Sequence, residues 1–165
     1  MRQRVYLSLG SNTGDRAGNM QTAIKQLSRI GEVIAVSSFY ETEPVEFTAQ
    51  PWFLNCVVSL ETANGPAQVL QSALAIEQGM GRTRTQAKGP RNIDIDVLLY
   101  GDQVVEEEGL HIPHPALAVR RFVLEPLAEI APDARHPILK KTSRELLNAL
   151  PPGQIVRRTT RDPKD

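Results

Sequence analysis

The run 89–101, GPRNIDIDVLLYG, sets two aspartates, Asp94 and Asp96, two residues apart inside an otherwise apolar segment. In a strand successive side chains alternate faces. Both carboxylates then share one side, about 6.5–7 Å apart along the chain, while Ile93, Ile95 and Val97 take the other. Like charges at that spacing repel, and desolvating them is costly. A divalent cation shared with phosphate oxygens relieves both problems, because Mg2+ favours a few carboxylates plus substrate phosphate and water. An isolated Asp-x-Asp is more often a solvated strand face. Here the preceding loop adds Arg82, Arg84, Lys88 and Arg91. A carboxylate pair beside a basic, glycine-containing loop points to a polyphosphate held by metal and arginine. Salt bridges between those arginines and the aspartates are the competing reading, and the phosphate reading stands slightly ahead of it.

A second constellation lies at 110–122, LHIPHPALAVRRF. His114 sits between two prolines, on a stiff extended turn, with Arg120, Arg121 and Phe122 following. A histidine can donate to a phosphate, and an arginine can stabilise transferring charge. Adjacent arginines are more commonly a helix-surface charge pair. His111 and His114 form an HxxH, but no cysteine or third histidine accompanies them, and zinc sites need three or four ligands. The segment 43–55, EPVEFTAQPWFLN, gathers Phe47, Trp52 and Phe53. On a strand Trp52 and Phe53 face opposite sides, whereas Phe53 and Asn55 share one. That pair offers a flat surface and an amide able to pair with a heterocycle edge, although simple packing is the commoner use of such residues.

These side chains need a scaffold. Residues 4–9 alternate as a first strand, GSNTGD at 10–15 is a loop, and Asp15 is placed to cap a helix whose stripe is Met20, Ala23, Ile24, Leu27 and Ile30. Residues 33–42 and 53–62 are β-rich runs. Pro66 opens a second helix with Val69, Leu70, Ala73, Leu74 and Ile76 on its apolar side, ending near Gly79 or Gly81. The loop 81–91 leads into the aspartate strand, which Gly101-Asp102 turns toward a short partner at 103–106. Weaker helices are expected around 116–130 and 142–149. The order β-α-β-β-α-β predicts an α+β fold with a ferredoxin-like core, a mostly antiparallel sheet with helices packed on it. We expect one domain over 1–150 and a loose tail over 151–165.

Composition excludes several classes. Nineteen basic and nineteen acidic residues in a chain of 165 leave no net field to hold nucleic acid or an anionic membrane. The single cysteine, Cys56, cannot form an internal disulfide. The start of the chain has too short an apolar stretch for a signal peptide, so a cytoplasmic location is expected. No internal repeat is visible.

Taken in order, the motifs LSLGSNTGD, SSFYETEP, QPWFLN, EQGMGRTR, GPRNIDIDVLLYG and IPHP with Arg120 and Phe122 downstream resemble the 6-hydroxymethyl-7,8-dihydropterin pyrophosphokinase family over about residues 4–130. The resemblance implies a transferase of folate biosynthesis that moves the pyrophosphoryl group of ATP onto the pterin hydroxymethyl group, releasing AMP. It further implies that Asp94 and Asp96 bridge two Mg2+ ions. Arg82, Arg91, His114 and Arg120 would contact the polyphosphate, with Arg84 and Glu77 along the ATP site. Arg82, Arg91 and Asp96 are the catalytic candidates. Phe53 and Phe122 would sandwich the pterin, Asn55 and Thr42 would bond its edge, and Val45 would line the pocket. Leu74, Thr85, Lys88, Gly109 and Pro115 depart from the family pattern on the ATP side. Small-molecule substrates and a monomer are implied, without nucleic acid or membrane partners. Two other readings use similar parts. A palm-type nucleotidyltransferase or cyclase also sets two aspartates on such a sheet but forms pyrophosphate. An RNA-binding module would need a [KR]-G-[FY]-[GA]-F-V-x-[FY] run that is absent here.

Overall fold

In the computed structural model of the chain, residues 1–43, 51–81 and 92–159 are described. Val45, Arg82, Arg84, Thr85, Lys88 and Arg91 therefore lie outside the described residues. Among the described residues no helix is long and apolar enough to cross a membrane.

The first strand β1 (Gln3–Ser11) runs into a turn where the Asp15 carboxylate accepts from Gly18 N at 3.0 Å, capping helix α1 (Arg16–Leu27) as its position predicts. The β-rich run 33–42 is not one strand but two, β2 (Glu32–Val36) and β3 (Tyr40–Thr42). Ser37 causes the break. Its hydroxyl accepts from Val57 N at 2.9 Å, so a side chain takes over a ladder bond and the backbone turns away. Strand β4 (Phe53–Thr62) follows, then α2 (Pro66–Gly79), with Pro66 in its first turn.

The aspartate strand is β5 (Asp94–Tyr100). The segment expected to pair with it instead forms a separate hairpin, β6 (Val105–Glu107) with β7 (Leu110–Ile112). Gly109, at φ 76°, makes that tight reversal and takes the partner away from β5. The helix expected over 116–130 divides into a 3-10 turn at Leu117–Val119 and α3 (Arg121–Ile130). A shorter α4 (Ser143–Asn148) is capped by Thr142 Oγ1, which accepts from Glu145 N. The tail expected to be loose contributes a strand, β8 (Val156–Arg158), antiparallel on β3. Its Val-Arg-Arg sequence is too short for alternation to reveal it.

The main sheet has the order β5-β1-β4-β3-β8, with β2 also on β4, and every pairing is antiparallel. With β2 and β3 counted as one interrupted strand, this is the ferredoxin-like order. Val5, Leu7, Leu9, Cys56, Val58 and Leu60 face α1 and α2 in one apolar core. On the opposite face Val57, Leu98 and Leu99 meet Leu117, Val123, Leu124, Leu127 and Leu146 in a second. A register shift opposite Tyr6 and Leu7 lets Leu98 and Leu99 both enter that second core.

Candidate active site

Ile95 and Val97 are buried in the α1–α2 core, so Asp94 and Asp96 lie on the other face, half-exposed, as alternation predicts. Sheet register then sets what stands beside them. Asp96 is opposite Ser8, which is opposite Val57, while Asp94 is opposite Gly10, which is opposite Asn55, which is opposite Tyr40. One row therefore crosses the strands as Asp94, Gly10, Asn55 and Tyr40. Phe53 and Thr42 pair one step further along the same face.

Asn55 is only 4% exposed, and its Nδ2 donates to Thr42 Oγ1 at 2.9 Å. The bond directs the carbonyl Oδ1 toward Gly10 and presents an acceptor beside the Phe53 ring. Trp52, next in sequence to Phe53, is stacked under the Arg157 guanidinium, 4.9 Å from its ring centre, and packs rather than joining this face.

His114 is fixed against the edge of β5. Its backbone N donates to Leu98 O at 3.0 Å, and its ring Nδ1 accepts from Ala116 N at 3.1 Å. The proton of the neutral ring is therefore on Nε2. Burial, together with the charge of Arg120, holds its pKa below the usual histidine value, while Asp94 acts in the opposite direction. At neutral pH His114 is a hydrogen-bond donor, not a cation. Arg120 lies over the Phe122 ring at 5.4 Å. Arg121 is the ordinary surface pair, with Glu125 at 3.4 Å one turn on.

Glu77, which the resemblance implies lies along the ATP site, is held on the β5 backbone. It is 3% exposed, and its Oε2 accepts from Ile95 N at 2.7 Å, the amide between the two aspartates. The carboxylate thus anchors the outer edge of β5 at the point where Asp94 and Asp96 must diverge onto one face. Glu77→Gln keeps an acceptor for that amide and should retain most Mn2+ affinity. Glu77→Ala should cost about 1–3 kcal/mol of stability and weaken Mn2+ binding. Thermal melts and electron paramagnetic resonance titration with Mn2+ check both; unchanged binding in the alanine variant overturns the anchoring role.

Sequence reasoning missed Gly10, Tyr40 and Glu129. The Glu129 carboxylate on α3 accepts from Tyr40 Oη at 2.6 Å, from Ser38 N at 3.0 Å and from Ser38 Oγ at 2.9 Å, tying α3 to the β2–β3 junction. Burial and this carboxylate push the Tyr40 hydroxyl pKa well up. Each of the three was quoted within a motif or helix, but its partner comes from elsewhere in the chain.

No three histidine, cysteine or acidic side chains converge on a metal position among the described residues. Two half-exposed carboxylates on one strand suit Mg2+ completed by phosphate and water, and not an all-protein cage. Together the face offers an acidic end, a donor at His114, and a buried amide beside the Phe53 ring.

Comparison with known proteins matches residues 6–132 to the family described as 7,8-dihydro-6-hydroxymethylpterin-pyrophosphokinase. A Methylorubrum extorquens protein named 2-amino-4-hydroxy-6-hydroxymethyldihydropteridine pyrophosphokinase is 45% identical over 156 residues, 93% of this chain and 98% of that one. The folic acid synthesis protein fol1 of Schizosaccharomyces pombe is 47% identical over 149 residues, covering 89% of this chain but only 20% of that longer one. A crystal structure of wild-type Plasmodium falciparum HPPK-DHPS with pteroate superposes with a TM-score of 0.72 at 18% identity, over 90% of this chain and 42% of that one, a likeness of fold. With the family match spanning most of its length, the chain belongs to the 7,8-dihydro-6-hydroxymethylpterin-pyrophosphokinase family.

Proposed function

We propose that this chain transfers the pyrophosphoryl group of ATP to the hydroxymethyl oxygen of 6-hydroxymethyl-7,8-dihydropterin, giving the pterin diphosphate and AMP. The observation that supports the proposal is the row Asp94, Gly10, Asn55, which puts a carboxylate and a buried amide on one face, on the strands either side of β1. The pterin ring lies between Phe53 and Phe122, with its edge on Asn55 and Thr42, and its hydroxymethyl arm reaches toward the aspartates. Displacement is in line at the β-phosphorus, with AMP as the leaving group.

Asp94 and Asp96 hold two Mg2+ ions in this reading. Bound there, the metal supplies charge stabilisation for the attacking and leaving oxygens. The alcohol loses its proton either to Asp96 or, where metal activation makes a distinct base unnecessary, to water. His114 donates Nε2–H to the polyphosphate, and Arg120 neutralises charge developing on the transferred group. Arg82, Arg84 and Arg91 complete that role by resemblance, as Val45 does for the ring. The chain works as a single domain that takes in β8, as a cytoplasmic monomer, with Mg2+ and ATP.

Incubation with Mg-ATP, with and without the pterin, tests this. Pterin-dependent AMP matched by pterin diphosphate is the expected result. AMP at background in both arms, or inorganic pyrophosphate in its place, overturns the reading and favours a nucleotidyltransferase.

A further inference from the structure

Gly10 stands inside a strand, where glycine costs about 0.5–1 kcal/mol relative to alanine. Backbone conformation does not explain it. The described glycines with positive φ are Gly14, Gly81, Gly101 and Gly109, and Gly10 is not among them. The reason is space. A Cβ built at Gly10 would lie 2.7 Å from Asn55 Oδ1, closer than such atoms approach, and 3.6 Å from the Phe53 ring. Among the described glycines with a close neighbour, Gly10 is the one that faces both a ring and an amide of the candidate site.

Asn55 has no easy escape. It is nearly fully buried, its Nδ2 is held by Thr42, and Thr42 is itself 2% exposed. Displacing Oδ1 by even half an ångström strains that bond or turns the carbonyl away from the Phe53 ring. We propose that Gly10 is a specificity-determining residue: its bare Cα is the floor on which Asn55 Oδ1 is held toward the N–H edge of a flat, amino-substituted heterocycle. Gly10 also lies opposite Asp94. A substrate arm crossing from the heterocycle end to the acidic end therefore passes over a residue that offers no side chain. The inference rests on the reading of the site as a pterin site.

The test is a double-mutant cycle of Gly10→Ala with Asn55→Ala. Pterin affinity is read by fluorescence titration, Mn-ATP affinity by paramagnetic resonance, and the Asn55 side-chain amide by NMR. Gly10→Ala should weaken pterin binding by about tenfold, the loss of roughly one good hydrogen bond. It should move the Asn55 amide signal, change Mn-ATP affinity little, and add nothing once Asn55 is alanine. Unchanged pterin affinity, or the same loss in both backgrounds, overturns the proposal. If Gly10→Ala does not fold, the melt of the double variant decides. Recovery to the melting temperature of Asn55→Ala supports the clash, and failure to recover overturns it. A wild-type protein that binds no pterin refutes the functional reading instead, and the Asn55 amide shift still reports on the floor.

Discussion

Asp96→Asn should lower the rate of pterin-dependent AMP formation by about 10³-fold or more, equivalent to some 4 kcal/mol of transition-state stabilisation, while leaving the protein folded. The physical basis is the separation of roles across β5. Ile95 and Val97 hold the strand in the core, whereas the Asp96 side chain is half-exposed on the opposite face, beside Ser8. Losing one of two neighbouring like charges opens no cavity, so the melting temperature should stay within about 2 °C of wild type. Rate measurement with saturating ATP and pterin, paired with a thermal melt, separates the two effects. A folded Asp96→Asn protein turning over near the wild-type rate would sink the metal assignment and the proton-acceptor role together.

Glu129→Ala should cost about 2–4 kcal/mol of stability, or some 4–16 °C in melting temperature. It removes the acceptor for Tyr40 Oη, Ser38 N and Ser38 Oγ at once, and Tyr40 is buried. Arg158 of β8 also approaches this carboxylate, at 3.5 Å. The consequence reaches the site because α3 begins at Arg121, directly after Arg120 and one residue before Phe122. Loosening its far end should raise the KM for pterin more than it lowers kcat. Glu129→Gln retains acceptor capacity and should recover most of both losses. An alanine variant that melts like wild type would show that the tether carries no weight.

Period-two alternation is local, so the shared face of Asp94 and Asp96, and that of Phe53 and Asn55, could be read from the chain alone. The helix at Asp15 and the one at Pro66 were legible for the same reason, since caps and apolar stripes are short-range signals. What could not be read was register. Gly10 meets Asn55 and Asp94 only because β1 pairs in one alignment with strands far away in sequence, and a slip of one residue would turn its face over. The Glu129 contacts span about ninety residues, and β8 has three residues and no pattern of its own. The Glu77 bond was hidden for a related reason: it goes to a backbone amide that no sequence motif marks.

The anchoring of β5 has a second consequence, for solution behaviour. A strand at the end of a sheet presents unpaired amides and carbonyls that can template pairing with another molecule. On β5 the Ile95 amide is occupied by Glu77, and the Leu98 carbonyl by His114 N. At the opposite end the terminal strand is only Val156–Arg158, two of its three residues being arginine. The contacts that aim the aspartates therefore also blunt an edge that would otherwise invite strand addition. Weakening Glu77 would first be felt in concentrated samples, as self-association growing with protein concentration, at levels where dilute assays still report turnover.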